Sequence, residues 1–378
     1  MKIVIAPDSF KGSVSAQEAA LSIERGVRRA YTHAETVLVP VADGGEGTME
    51  NLVAATNGQE IEVAVTGPLG LPVQAKFGVL GDQQTCVIEM ASASGLHTIE
   101  ASERNPLKAT TYGTGELIKR ALDMGYRDFV LALGGSATND GGAGMLQALG
   151  LKLLDQSGRE IGYGGGELEK LAQVESEQLD ERIKESHFLI ASDVDNPFIG
   201  ENGASYVFGP QKGATPEMVE ILDHNLSHWA DLIEETTNIR VHDRPGAGAA
   251  GGIGGAFQAF FPAEMKRGID VVLDYMNLAE KLVNADLVIT GEGQVDFQTA
   301  YGKTPMGVAE MAKKQHVPTI IVAGSVGEKI EALYPYGVIG IYSMVNGPMK
   351  LEEAIDNAEI LLEQVAEQLC RTYFYNRQ

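Results

Sequence analysis

Cysteine is nearly absent: Cys86 and Cys370 are the only two in 378 residues. That excludes a disulfide framework and a zinc site built on thiolates. Basic residues are also scarce, 29 Lys and Arg against 52 Asp and Glu, for a formal net charge of −23. Nucleic acid and anionic membrane surfaces call for basic patches, so neither is expected as a partner. A small anion held by a few local lysines stays open, and a chain this acidic would need a cation to screen bound phosphates. No apolar run reaches the ~18 residues of a membrane span. The opening MKIVIAPDSF is too short an apolar run for a secretory signal and leads straight into a strand-like pattern. A soluble cytoplasmic protein is the expectation.

Glycine, by contrast, is abundant: 45 residues, about 12% of the chain, against a usual ~7%. No collagen period or low-complexity tract explains the excess. The glycines cluster in short loops, where they mark close backbone approach. The densest cluster is VLALGGSATNDGGAGM (130–145). An apolar run ends there in Gly134-Gly135, and hydroxyls, an amide and a carboxylate follow between further glycines. A simple turn needs one or two glycines, so this loop is built to hold something.

The length allows two or three domains. Both chain ends read as alternating strands and helices. KIVIA is a buried-type strand, and Ser15 with Glu18 forms a capping box for the helix that follows. TVLVPVA is a second strand, and GEGTMENLVAATNG is a helix closed by Gly58. Near the C-terminus ADLVITGEG, PTIIVAGSVG and GVIGIYSM read as strands. TPMGVAEMAKKQHV reads as a helix, and LEEAIDNAEILLEQVAEQLCRTY as one long closing helix. Such alternation predicts a parallel sheet covered on both faces. Residues 59–91 instead alternate around a GPLG turn, which predicts antiparallel hairpins. The expected division is a discontinuous α/β domain, 1–61 plus 284–378, interrupted by a mixed α/β domain, 62–283.

Parallel sheets bind ligands beyond the C-terminal ends of their strands. Six strand-like runs here end in acidic or glycine-rich loops. These supply Asp8, Ser9 and Lys11; Asp43 and Glu46; the 134–142 loop; Asp193; Glu292, Gln294 and Asp296; and Ser325. Any single Asp after a strand is as readily a helix cap or a turn former. Together they predict a cleft of carboxylates, glycine amides and a few lysines, which suits phosphoryl transfer: amides cradle phosphate, carboxylates hold Mg²⁺, and another carboxylate accepts a hydroxyl proton.

Standard motifs do not supply the chemistry. GKT at 302–304 has Phe297 where a Walker A loop needs its first glycine. GAGAAG (246–251) matches the dinucleotide pattern with Asp270 beyond it, yet IRVHDRP before it makes a poor strand. Close helix packing or a mobile glycine hinge is the favoured reading of those glycines. His224 and His228 are four apart on a helix without the Glu of a zinc protease motif, and a solvated helix face is favoured. No nucleophile elbow appears.

The blocks APDSFKGS, VADGGEGT, GGSATNDGG, ASDVDNP, FGPQKGAT, PGAGAAGG, TGEGQVDFQT with GKTP, and VAGSV occur in that order. In this the sequence resembles the bacterial class I glycerate kinases, a glycerate 2-kinase family, over essentially its whole length. Asp195 and Phe297 are small local variants. The resemblance implies a flavodoxin-like (Rossmann-like) parallel-sheet domain interrupted by an inserted α/β domain. It also implies ATP-dependent phosphorylation of D-glycerate, typically at the 2-hydroxyl.

Roles within the motifs are expected as follows. Gly134, Gly135, Ser136, Thr138, Asn139, Asp140, Gly141 and Gly142 form the phosphate cradle for ATP, with Asp140 at hand for a metal or its water. Asp8, Ser9, Lys11, Lys212 and Lys303 face the substrate, and Lys11 also serves catalysis. Asp193, then Asp296, is the favoured proton acceptor. Asp43 and Glu292 are the expected Mg²⁺ ligands. A 3-kinase regiochemistry, a dehydrogenase using GAGAAG, and a non-enzymatic sugar-acid or nucleotide sensor are the alternatives. A homo-oligomer is compatible with the sequence, which does not specify the oligomeric state.

Overall fold

The structure, a computed structural model, describes residues 1–375 apart from 43, 46, 298 and 300–302. In chain order the strands are β1 (Lys2–Pro7), β2 (Glu35–Leu38), β3 (Gln59–Thr66), β4 (Pro72–Val79), β5 (Thr85–Glu89), β6 (Asp128–Ala132), β7 (Lys152–Asp155), β8 (Leu171–Glu175), β9 (His187–Ala191), β10 (Ala263–Lys266), β11 (Leu287–Val295), β12 (Thr319–Val326) and β13 (Val338–Ser343). The chain divides into two compact units, Met1–Asp43 with Arg267–Gln378, and Gly44–Lys266.

The first unit is built on one five-stranded sheet in the order β13-β12-β11-β1-β2, with every pairing parallel. Numbered as they enter this unit, the strands run 2-1-3-4-5. That is the flavodoxin-like order, whose switch point lies between the first and third strands, here β1 and β11. Burial on both faces explains the unbroken apolar runs of Ile3–Ala6 and Leu287–Ile289, all 0% exposed. Along β12 the faces alternate: Ile320 and Val322 join one core, Ile321 and Ala323 the other. The helix Ala16–Ala30 starts where Ser15 and Glu18 exchange bonds, Ser15 Oγ accepting from the Glu18 amide at 3.2 Å and Glu18 Oε2 from the Ser15 amide at 2.9 Å. It packs on the helix Ala358–Tyr373.

The second unit carries a six-stranded sheet, β10-β9-β6-β5-β4-β3, and a two-stranded ribbon, β7-β8. The pairings of β10, β9, β6 and β5 are parallel, whereas β5–β4 and β4–β3 are antiparallel. The GPLG turn closes the β3–β4 hairpin: Gly67 N donates to Leu71 O at 2.6 Å, and Gly70 sits at φ +81°. Phe129 and Phe188 stack at 4.8 Å on neighbouring strands inside the core. Trp229, the sole tryptophan of the chain, is 0% exposed in the same core.

Local pattern and structure part company at the seams. The units separate at 43/44 and 266/267, where the sequence places boundaries at 61/62 and 283/284. The helix Thr48–Thr56 packs on β4 and β5, with Met49 and Val53 over Gly78. The helices Gly268–Tyr275 and Leu278–Lys281 pack instead on Thr304–Lys314, where Ile269 lies against Gly307. An amphipathic helix goes with whichever sheet buries its apolar face, and periodicity does not say which. Asn57, at φ +55°, rather than Gly58, is the left-handed residue that ends Thr48–Thr56. The closing helix is two, Leu351–Asp356 and Ala358–Tyr373. At the joint the Asn357 amide side chain bonds Glu353 O at 2.8 Å, competing with the ladder. Among the described residues no helix is long and apolar enough to cross a membrane.

The tightest helix contact of the first unit gives a test. A Cβ on Gly26 would lie 2.1 Å from Glu363 O and 2.8 Å from Ala366 Cβ. Gly26→Ala is expected to cost about 1–3 kcal/mol through overpacking, in spite of alanine's better helix propensity. Circular-dichroism melting checks it, and an unchanged or raised midpoint would contradict the packing.

Candidate active site

In the first unit the predicted residues hang from the switch point. β1 runs directly into Asp8, whose amide donates to Gly291 O of β11 at 2.8 Å. Asp8 is 7% exposed. Its Oδ1 accepts from the Ser9 amide at 2.6 Å and its Oδ2 from Thr304 Oγ1 at 2.5 Å. Thr304 opens the helix Thr304–Lys314, with Lys303 as the residue before it. Asp8 therefore ties the end of β1 to the start of the helix that follows β11. Glu292, half-buried, accepts from Thr299 Oγ1 at 2.8 Å, and the Asp296 amide donates to the same hydroxyl at 3.3 Å. Lys11 is exposed, and its backbone passes Gly293, whose added Cβ would stand 3.6 Å from Lys11 N. Asp8, Ser9, Lys11, Glu292, Asp296 and Lys303 thus share one sheet edge, the edge at which parallel sheets take ligands. Asp43 and Glu46 lie outside the described residues.

In the second unit the 133–142 loop leaves the C-terminal end of β6. It is zipped to the segment after β5: Leu96 N donates to Gly135 O and Ala137 N to Ser94 O, both at 2.9 Å. The glycines admit protein neighbours. A Cβ on Gly134 would lie 2.7 Å from Gly45 Cα, and one on Gly141 2.5 Å from Trp229 Cδ1. The loop's polar side chains turn inward. Thr138 and Asn139 are 0% exposed and Asp140 1%, whereas Ser136 keeps 6%. Asn139 Nδ2 donates to Ser205 Oγ at 2.9 Å. Asp140 Oδ2 accepts from Thr111 N at 2.8 Å, Thr111 Oγ1 at 2.9 Å and Gly144 N at 3.3 Å, and its Oδ1 from Gly142 N at 3.2 Å. Burial pushes the Asp140 carboxyl above the ordinary range, against these donors, which hold it down. The expectation that Asp140 serves a metal or its water is corrected: its oxygens are sealed in the interior and occupied by Thr111, Gly142 and Gly144.

Lys212 is the chemically unusual group. It ends the short turn Pro210–Lys212 and is 1% exposed. Its ammonium donates to Ser136 Oγ at 2.8 Å and to Thr138 O at 2.6 Å. No carboxylate pairs with it among the described residues, and burial draws its pKa down to about 7, with Asp140 acting in the opposite sense. A buried ammonium that lacks a counter-ion is costly and suits a site that receives an anion. Asp193 is exposed, two residues past β9, on the edge where Ala132 of β6 pairs with Ala191. The structure therefore groups Lys212, Ser136 and the glycine loop in one unit, together with Asp193, and Asp8, Lys11, Glu292, Asp296 and Lys303 in the other.

Several residues escaped the sequence reading. Thr110 and Thr111 hold Asp140 from 29 or more positions away, and Glu89 Oε1 accepts from Met49 N at 2.8 Å. Nothing local signals either contact. GAGAAG is not preceded by a strand. It is packing glycine, as favoured: a Cβ on Gly251 would lie 2.0 Å from Thr138 O, and one on Gly248 2.1 Å from Pro197 O.

The Lys212 environment predicts a pH effect on stability. Between about 7 and the ordinary 10.5 the folded unit binds fewer protons than the unfolded chain, so stability rises with pH through that window and the penalty is complete below it. Urea unfolding followed by the fluorescence of Trp229 should show this rise from pH 7 to 9, and Lys212→Met should flatten it. A wild-type curve that falls or stays level while the variant matches it would refute the assignment.

Comparison with known proteins agrees with this geometry. The family model "Glycerate kinase family" matches residues 3–374. A glycerate kinase of Bacillus subtilis (strain 168) is 53% identical over 98% of this chain and 97% of its own. A glycerate 2-kinase of Escherichia coli (strain K12) is 51% identical over 95% and 94%. A crystal structure from Salmonella typhimurium LT2, assigned as glycerate kinase 2, superposes with a TM-score of 0.90 at 47% identity, covering 100% of this chain and 99% of that one. With the flavodoxin-like strand order, the glycine loop and near full-length identity in accord, the chain belongs to the glycerate kinase family, a family of phosphotransferases.

Proposed function

We propose that the protein transfers the γ-phosphoryl group of ATP to the 2-hydroxyl of D-glycerate, giving 2-phosphoglycerate and ADP. The observation that carries this is the Lys212 ammonium, buried without a carboxylate partner and bonded to Ser136 Oγ and Thr138 O beneath a glycine loop. The E. coli relative's name, glycerate 2-kinase, supports the position of attack. Two free buried thiols suit a cytoplasmic enzyme.

In the reaction the glycerate oxygen bonds to the γ-phosphorus, the bond from that phosphorus to the β–γ bridging oxygen breaks, and ADP leaves. The hydroxyl proton passes to a carboxylate, for which Asp193, exposed past the end of β9, is the first choice and Asp296 the second. Lys11 and Lys303 supply positive charge for the glycerate carboxylate and the transferring group. Among the described residues no three His, Cys, Asp or Glu gather to cage a metal. Magnesium does not require a cage, because it keeps water and phosphate oxygens and takes one or two carboxylates. Glu292, with Asp296 or Asp8 at the same edge, fits that demand, and Asp43 is the further candidate. Bound with ATP, the ion would neutralise phosphate charge.

A ³¹P NMR time course with D-glycerate, ATP and Mg²⁺ tests the proposal, and a growing 2-phosphoglycerate signal is expected. A 3-phosphoglycerate signal would reject the position of attack, and folded protein that consumes no ATP would reject the kinase. Asp193→Asn is expected to lower kcat by about 10²–10⁴-fold while ADP still binds. Turnover retained in that variant would move the proton to Asp296, and nucleotide binding without turnover in the wild type would favour a sensor.

A further inference from the structure

Lys212 has three ammonium protons. Two are used, on Ser136 Oγ and Thr138 O. A serine oxygen that accepts from an ammonium still has its own proton to give. Among the described residues nothing accepts the Ser136 proton, although Ser136 is only 6% exposed. Beside it Thr138 Oγ1, on a residue 0% exposed, has no hydrogen-bond partner either. Two hydroxyls and an ammonium, all withdrawn from water and short of acceptors, are arranged for something that brings acceptors and negative charge.

We infer that Lys212 is a positioning residue acting through Ser136: by donating to Ser136 Oγ it turns and polarises that hydroxyl as a donor to an oxyanion bound at the glycine loop. The ligand chemistry is a carboxylate or a phosphoryl group, supplied by glycerate or by the nucleotide. This deepens the kinase proposal and rests on its premise that the loop receives a reactant. Lys212 itself stays beneath the loop, so the direct substrate contact expected of it from sequence becomes a contact relayed by Ser136. The relay works only while the ammonium is charged. Among the described residues the charged group that acts on it is Asp140, whose field favours the charged form; Arg104 lies on the segment packed against Gly213, where its carbonyl would be 2.7 Å from an added Cβ. Bringing an oxyanion to the loop also favours the charged form, so binding above neutral pH takes up a proton.

The test is calorimetric titration of ADP, inorganic phosphate and D-glycerate, each alone, into the wild type, Ser136→Ala, Ser136→Thr, Lys212→Met and the double variant Ser136→Ala/Lys212→Met, from pH 6.5 to 9. For at least one probe the wild-type affinity should fall as pH rises. At pH 6.5 Ser136→Ala and Lys212→Met should each lose about tenfold or more for that probe, the size expected for a charge-assisted hydrogen bond. The double variant should lose no more than Lys212→Met alone, Lys212→Met should lose the pH dependence, and Ser136→Thr should restore binding. Loss confined to ADP and phosphate assigns the oxyanion to the nucleotide, and loss confined to glycerate assigns it to the acceptor. Ser136→Ala binding all three probes as the wild type does, or losses that simply add in the double variant, would overturn the relay. Trp229 fluorescence melts confirm that each variant is folded, and Ser136→Ala alone decides the matter if Lys212→Met is not. Wild-type protein that binds with the expected pH dependence but makes no phosphoglycerate would defeat the kinase proposal and leave the relay standing.

Discussion

A carboxylate that scarcely meets water shapes the second unit's loop. Asp140 gathers the Thr111 amide and hydroxyl and the amides of Gly142 and Gly144. Burying a carboxylate costs several kcal/mol, and each hydrogen bond to a charged group contributes about 1.5–3 kcal/mol. Several such donors offset much of the penalty, although burial still holds the carboxyl above its ordinary range. The loop can turn sharply enough to meet all of them because Gly141 and Gly142 take positive φ, +59° and +75°. With the turn set, Gly141 comes down on Trp229, which donates to its carbonyl at 3.1 Å, and Thr138 presents its carbonyl to Lys212.

Lys212 is the opposite case. Its ammonium is buried with two neutral acceptors and no carboxylate, so the penalty of burial is not matched and its pKa falls to about 7. Structural ion pairs raise a lysine's pKa, as Glu50 and Glu60 do for Lys76. A lysine whose pKa is instead drawn down by burial is a functional-site candidate. Asp140 and Lys212 therefore divide the work in one loop. The acid collects donors from the chain around it and fixes shape, while the base has two neutral acceptors and no carboxylate partner.

The first unit places its groups by topology. In the order β13-β12-β11-β1-β2 the connections leave β1 and β11 in opposite directions, which opens a crevice at their C-terminal ends. Asp8 and Glu292 emerge there because β1 and β11 are paired in register from Ile3 with Leu287 to Pro7 with Gly291. The Thr304–Asp8 bond then fixes the helix start that carries Lys303.

Much of this was legible in the residues alone. Strand runs such as KIVIA and LVIT, the Ser15–Glu18 capping box, the GPLG hairpin and the interruption of one α/β domain by another are local or periodic signals. Each reflects burial on both faces, an N-terminal cap or a turn that only certain residues make. The glycine-rich loop after β6 and the acidic strand ends were legible as well, since they follow directly from apolar runs in the sequence. Which polar side chains face inward was not legible. Asp140 and Lys212 look alike in sequence, each a charged residue beside glycine. Only folding brings Thr111 to one and the neutral acceptors Ser136 Oγ and Thr138 O to the other, from 29 and 74 or more positions away. Nor could periodicity assign the seam helices, because an apolar stripe specifies that a helix is buried and not which sheet buries it.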